Sequence, residues 1–365
     1  MVSKIGIVLL CSLFCLGRHD PQMNFCDGPY VEYQGNKVIV RSIDQRNAMI
    51  VDSFAASEKT KHILSVHFSN HQGWDFSLPF KSRISNEPAV SNKPDRIIAF
   101  SDIEGEFENF RGLLIANKVM DSLYNWTFGK GALIICGDLF DRGNDVAAEL
   151  WLLYKLEEEA KIKGGYVHTI LGNHDIMNMS GDWRYVQPRY FTDAKAMGLE
   201  YFDLYSKNSE LGRWLRSKNI MEKIGDNLCM HGGISPEILK LAWPVAKIND
   251  SCRPFYDQGM HMENFPDKDR WAFFNGQNIS PFWYRGYFMD PLATQGFIDS
   301  TLGFYKSERI LVGHTIVETN VGSYYGGRVI GLDVNQHEGD AEGLLIEQNK
   351  LYRIDLTGKK TTLSL

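Results

Sequence analysis

The chain has 365 residues, 44% of them hydrophobic and 12% aromatic, enough for a sizeable core in one large domain or two small ones. Its formal charge of −6 is spread without long like-charge runs. This argues against a basic nucleic-acid surface and leaves any attraction of anionic substrates to local groups. At the N-terminus, Lys4 precedes the apolar run Ile5–Leu16 and then Gly17-Arg18. The run is too short for a stable membrane span and has the length of a secretory h-region. Cleavage is expected after Gly17, so residues 1–17 read as a signal peptide and the mature chain as periplasmic or secreted. A lipidated Cys11 or Cys15 fits less well, because Leu10 and Phe14 stand where a small residue is usual; a first core strand is the remaining alternative.

Residues 23–94 read as a small β-rich module, with β-type apolar runs at Val38–Val40, Ile63–Val66 and Trp74–Leu78. Ser85–Asp95 is the expected connector. A larger unit over 95–358 opens with the strand Ile97–Phe100. Phe107, Phe110, Leu113 and Leu114 space like one helix face, as do Val146, Leu150, Leu153 and Leu156, whose helix should end near Lys161 and Gly164. Strands alternating with helices predict an α/β domain. Two aromatic-rich segments, 179–226 and 236–309, interrupt the rhythm and should supply helices and groove walls. Strands at Val329–Asp333, Gly343–Gln348 and Lys350–Leu356 close the chain, the last two joined by a turn at Gln348-Asn349-Lys350. Beyond the signal, Cys136 and Cys229 read as buried hydrophobes. Cys26 and Cys252 lie among polar residues and could pair in an oxidising compartment.

Five motifs recur in order, each behind a short apolar run: Ser101-Asp102-Ile103-Glu104-Gly105, Gly137-Asp138-Leu139-Phe140-Asp141-Arg142-Gly143, Gly172-Asn173-His174-Asp175, His231-Gly232-Gly233 and Gly313-His314-Thr315. In an α/β sheet, ligands collect beyond the carboxyl ends of strands. Five such ends would converge Asp, Asp, Asn, His and His on one point, a donor set for metal ions.

The series resembles the calcineurin-like metallophosphoesterases, and within them the phosphoprotein phosphatase branch and its Shewanella-like bacterial relatives. The resemblance implies a four-layer αββα sandwich of two mixed sheets between helices. It implies two divalent metal ions, with Mn, Fe or Zn suited to mixed oxygen and nitrogen donors. By motif matching, Asp102, Glu104 and Asp138 would hold the first metal, and Asp138, Asn173, His231 and His314 the second, with Asp138 bridging. It further implies phosphomonoester hydrolysis, in which a metal-bound hydroxide attacks phosphorus in line and His174, oriented by Asp141, protonates the leaving oxygen. Arg142 would bind the phosphate with a second arginine, for which Arg285 in Trp283-Tyr284-Arg285-Gly286 is the candidate. The substrates implied are phosphoproteins or small phosphomonoesters.

Position 104 departs from the family pattern, which carries His there. Glu104 reads either as a carboxylate ligand, shifting preference toward harder ions, or as turned away from a weakly held metal. Asp175, where Glu is commoner, can still hydrogen-bond its neighbours. His168 reads as a core or supporting histidine, and His261 and His337 as surface residues. Two other functions stay open: cleavage of nucleotide polyphosphates or phosphodiesters, and a pseudophosphatase that binds phosphorylated ligands without turnover.

Overall fold

The computed structural model describes residues 26–259 and 261–364, so the expected signal sequence at 1–17 lies outside the described residues. At the N-terminus, β1 (Asp27–Gln34), β2 (Lys37–Ile43) and β3 (Met49–Ala55) form an antiparallel meander, and β4 (Ile63–Val66) pairs with β5 (Phe76–Pro79). The expected connector holds a further strand. Within it, β6 (Val90–Ser91) adds a parallel edge to a larger sheet.

Eleven more strands complete two six-stranded sheets. They are β7 (Arg96–Phe100), β8 (Ala132–Cys136), β9 (Tyr166–Ile170), β10 (Met221–Ile224), β11 (Asn227–Met230), β12 (Arg309–Val312), β13 (Gly322–Tyr324), β14 (Val329–Gly331), β15 (Glu342–Glu347), β16 (Lys350–Asp355) and β17 (Lys360–Thr362). One sheet runs β17-β16-β15-β7-β8-β9 and the other β13-β14-β12-β11-β10-β6; both mix parallel and antiparallel pairs. Gln348 and Asn349, both with positive φ, make the tight β15–β16 turn.

The side-chain alternation of the central strands builds the layers. Ile97, Ala99, Ala132, Ile134 and Cys136 of one sheet pack against Cys229, Leu311 and Ile330 of the other. The intervening residues Ile98, Phe100, Leu133 and Ile135 face the outer core with helices α1 (Phe107–Ala116) and α2 (Val146–Ile162). Period-two side chains buried on both faces explain why these strands read as unbroken apolar runs. The result is the expected αββα arrangement. Among the described residues, no helix is long and apolar enough to cross a membrane.

The N-terminal strands share the outer core. Tyr30, Val31, Val38, Leu64 and Phe76 belong to the cluster that holds Trp151 and Tyr154 of α2. Trp151 Nε1 donates to the Pro29 carbonyl (2.8 Å). The firmest tie is a buried charge cluster on α2: Glu157 accepts from Lys81 and Lys218 at 2.5 Å each and from Trp214 Nε1 at 2.8 Å. Burial opposes ionisation of Glu157, but the two ammonium groups overcome it and hold the carboxyl down at about 2.

The disulfide reading is corrected here. All four described cysteines are free, and Cys252, expected among polar groups, is buried at the end of the helix Val245–Cys252.

Removing one member of a buried ion cluster strands its partners without compensation. Glu157→Gln is therefore expected to cost about 3–5 kcal/mol in chemical denaturation at neutral pH. Because the folded-state pKa lies below the ordinary 4.5, this contribution is complete above that pH and is lost toward about 2. The stability gap between wild type and variant should narrow over that window.

Candidate functional site

The motif residues sit where the strands stop. Six of them hold left-handed backbone: Asp102 (φ 54°), Glu104 (51°), Asp138 (57°), Asp141 (81°), Arg142 (51°) and His314 (67°). Each costs a non-glycine residue roughly 1–2 kcal/mol, and such strain persists only where surrounding bonds fix it. Here they do. The Asp102 amide donates to Gly137 O (2.9 Å), the Glu104 amide to Asp138 O (3.1 Å), and the His314 amide to Asp102 Oδ2 (3.1 Å). Asp175 accepts from the amides of Leu139 (2.8 Å), Asp138 (3.1 Å) and Gly172 (2.7 Å), pinning the Asp138 loop to helix α3 (Asn173–Ser180). Two motif glycines allow this closeness. A Cβ at Gly172 would overlap the Asp138 carboxylate, and one at Gly313 would overlap Ser101 Oγ and Asp102 Oδ2.

Two sets of donor atoms result, Asp138–His231–His314 and Glu104–Asp138–His174, each within 4.8 Å, with Asp138 in both. His231 is fully buried; its Nδ1–H donates to the Cys136 carbonyl (2.8 Å), turning Nε2 toward Asp138 Oδ2 (3.0 Å) and Asn173 Oδ1 (2.9 Å). That bond fixes the tautomer in which Nε2 is the free donor. Burial, His231 and Arg285 hold the His314 imidazole well below its usual pKa, leaving it neutral.

The carboxylates carry the complementary signal. Burial raises the Asp102 pKa, reinforced by Asp138, and burial with the Asp102 charge raises Asp333 well above its usual value. Burial lowers the His231 basicity, but Asp138 and Asp102 override it and push the imidazole up to about 10. Buried, clustered carboxylates beside the neutral His314 imidazole, and beside a His231 whose proton a cation would displace, form an environment that divalent cations satisfy. The residues present therefore fit divalent metal ions.

Above this floor lies a cavity of about 240 Å³ lined by Asp102, Glu104, Asp138, His174 and His314 together with the cations Arg142 and Arg285. Arg285 donates to the His314 carbonyl and to Thr315 Oγ1 (3.2 Å). Arg142 pairs with Glu104. His174 Nδ1 lies 2.6 Å from Asp141 Oδ2, and Asp141 Oδ1 accepts from Asn178, which in turn accepts from Tyr201. Nε2 of His174 is thereby left toward Asp138 Oδ2, 3.9 Å away. Burial lowers the His174 pKa, yet Asp138 and Asp141 raise it further than that.

Asp102, Glu104, Asp138, Arg142, His174, Arg285 and His314 line the cavity, His231 reaches Asp138 and Asn173, Asp141 bonds His174, and Glu104 faces the cavity rather than away from it. His168 is a core residue bonded to Glu222 (2.6 Å), and His261 is exposed. His337, read as a surface residue, is exposed, and it also lines the rim of the cavity, its Nδ1 3.8 Å from Glu104 Oε2. Asp333 was missed, although Val329–Leu332 before it is one more apolar run ending in an aspartate.

The calcineurin-like phosphoesterase family model matches residues 95–318. An uncharacterized protein of Schizosaccharomyces pombe is 30% identical over 301 residues, covering 78% of this chain and 87% of its own. Shewanella-like protein phosphatase 2 of Arabidopsis thaliana is 25% identical over 333 residues, covering 72% of this chain and 80% of its own. Among solved structures, the cold-active protein-tyrosine phosphatase of a psychrophilic Shewanella matches with a TM-score of 0.82 at 34% identity, over 93% of this chain and 99% of that one.

A methyl group at position 313 would displace Ser101 and Asp102 together. Gly313→Ala should weaken divalent-cation binding by about tenfold or more in calorimetric titration. Gly296→Ala, whose Cβ meets nothing within 4 Å, should bind as wild type does.

Proposed function

The chain belongs to the calcineurin-like phosphoesterases, and from that membership we propose that it is a metal-dependent phosphomonoesterase with a dinuclear centre. The observation that carries this reading is Asp138, shared by a donor set with His231 and His314 and another with Glu104 and His174, beneath a small cavity that presents two arginines. Asp102, Glu104 and Asp138 would hold one cation; Asp138, Asn173, His231 and His314 would hold the other. Mn, Fe and Zn suit these mixed donors. Bound there, the metals supply Lewis acidity and lower the pKa of water.

The chain's own residues do the rest. Arg142 and Arg285 bind the phosphate oxygens and stabilise charge that develops on them. Two guanidinium groups in a cavity of this size suit a compact dianion, the terminal phosphate of a monoester, better than a diester. Asp141 holds His174 so that Nε2 carries a proton toward the leaving oxygen, and Asn178 and Tyr201 hold Asp141.

Phosphorylated protein side chains are the proposed substrates, with phosphotyrosine first. Tyr185, 46% exposed, stands with its ring 5.1 Å from that of His174, where an aryl leaving group would stack. The similar Shewanella structure is that of a protein-tyrosine phosphatase. A site of action outside the cytoplasm is proposed on the Ile5–Leu16 run alone.

The test is hydrolysis of p-nitrophenyl phosphate against its bis-ester by metal-stripped protein lacking residues 1–17, titrated with Mn, Fe, Zn and Mg. Metal-dependent turnover that prefers the monoester is expected; preference for the bis-ester sinks the monoesterase assignment. Asp138→Asn should lose roughly a thousandfold or more in turnover. His168→Gln should retain turnover per folded molecule. His174→Asn should lower kcat by about 10²–10⁴ for phenyl phosphate, whose leaving group needs a proton, and much less for p-nitrophenyl phosphate. Equal losses on the two esters would remove His174 from proton transfer.

A further inference from the structure

Position 104 leaves the first metal side with only carboxylates among the residues assigned to it: Asp102, Glu104 and Asp138. An all-oxygen set holds zinc and iron less firmly than one that includes imidazole. The structure brings an imidazole to this side from elsewhere in the chain. After β14 the chain turns at Gln336–Glu338, and the turn is tied to the strand end that carries Asp102. Gln336, buried, donates from Nε2 to the carbonyl of Ser101 (3.2 Å), and Asn109 of α1 donates to the carbonyl of Gln336 (3.2 Å). Beside these anchors His337, itself exposed, lines the rim of the cavity with Glu104, Asp333 and Arg142.

The spacing is informative. His337 Nδ1 to Glu104 Oε2 is 3.8 Å, too long for a hydrogen bond. Two donors each about 2.1 Å from one cation, and roughly 90–130° apart around it, stand roughly 3.0–3.8 Å from each other. The gap is one that a shared cation would span. The other carboxylate oxygen, Oε1, faces Arg142, so Oε2 is the one turned to the histidine.

We propose that His337 is a nitrogen ligand of the metal held by Asp102, Glu104 and Asp138, supplying from the β14–β15 connection the imidazole that position 104 does not. The inference rests on the dinuclear reading above, and it makes the motif's departure at Glu104 a relocation of the nitrogen donor. The histidine approaches Glu104, whereas His231 and His314 belong to the other donor set, so each metal would have imidazole ligation.

Zinc is the probe, because it is diamagnetic and binds imidazole. Metal-stripped wild-type protein, reloaded and dialysed, should retain two zinc equivalents by elemental analysis. Fewer than two overturns the dinuclear reading, and this inference with it. With two bound, protein labelled with ¹⁵N at histidine should show a ring-nitrogen signal, assigned to His337 by its absence in His337→Ala, that moves on zinc addition to the position of a coordinated nitrogen. A His337 signal unmoved by zinc overturns this inference alone. His337→Ala should weaken one of the two zinc sites by about tenfold or more. Placing imidazole at the family position, in Glu104→His/His337→Ala, should restore that site. Unchanged binding of both zinc ions by His337→Ala would contradict the proposal. Circular dichroism of each variant separates loss of a ligand from loss of fold.

Discussion

The placement of one carboxylate, that of Asp138, organises this molecule. It is buried, and each of its polar groups has an assigned partner: its amide donates to Asp175, its carbonyl accepts from Glu104, and its Oδ1 accepts from the His174 amide. Its Oδ2 faces His231. Burial would raise its pKa, but His231 and His174 hold it well below the carboxylate range, so its charge is kept in place. Around that charge stand Asp102, Glu104 and Asp333, and burial with neighbouring carboxylate charge raises the pKa of Asp102 and Asp333. The left-handed backbones at the strand ends and the absent side chains at Gly172 and Gly313 are conditions for holding these groups so close.

The fold supplies the rigidity that such strain requires. The strands that deliver Asp102, Asp138 and Asn173 are adjacent and parallel, and those that deliver His231 and His314 are adjacent and parallel in the facing sheet. Their shared apolar interior fixes one set of ends against the other. Helix α2 begins just after the Asp141-Arg142-Gly143 loop and returns Glu149 to the Gly105 amide (2.9 Å), joining the first two motifs. The N-terminal strands press on α2 from outside through Trp151 and the Lys81–Glu157–Lys218 cluster. They contribute none of the residues lining the cavity.

Much of this was legible in the sequence, for a physical reason. Strands buried on both faces must be continuously apolar, so Ile97–Phe100 and Ala132–Cys136 announce themselves, and the polar residues just beyond mark where ligands gather. Resemblance then assigned roles along the series. What stayed hidden lacked either signal. β6 is two residues long and exists because β10 offers it an edge. Cys252 is flanked by polar residues in sequence but packs inward from a helix face. His337 lies in a short turn with no periodicity, and only the bonds from Gln336 and Asn109 bring it to the cavity. Asp333 could have been found, since its apolar run repeats the pattern of the other strand ends; the absence of a familiar motif around it concealed it.

The central claim, that Asp138 bridges two metal ions, is tested most directly by anomalous diffraction from crystals grown with manganese and measured near its absorption edge. Two anomalous peaks about 3.5–4 Å apart, one on each side of the Asp138 carboxylate, are the predicted result. A single peak, or two that do not share Asp138, would contradict the account.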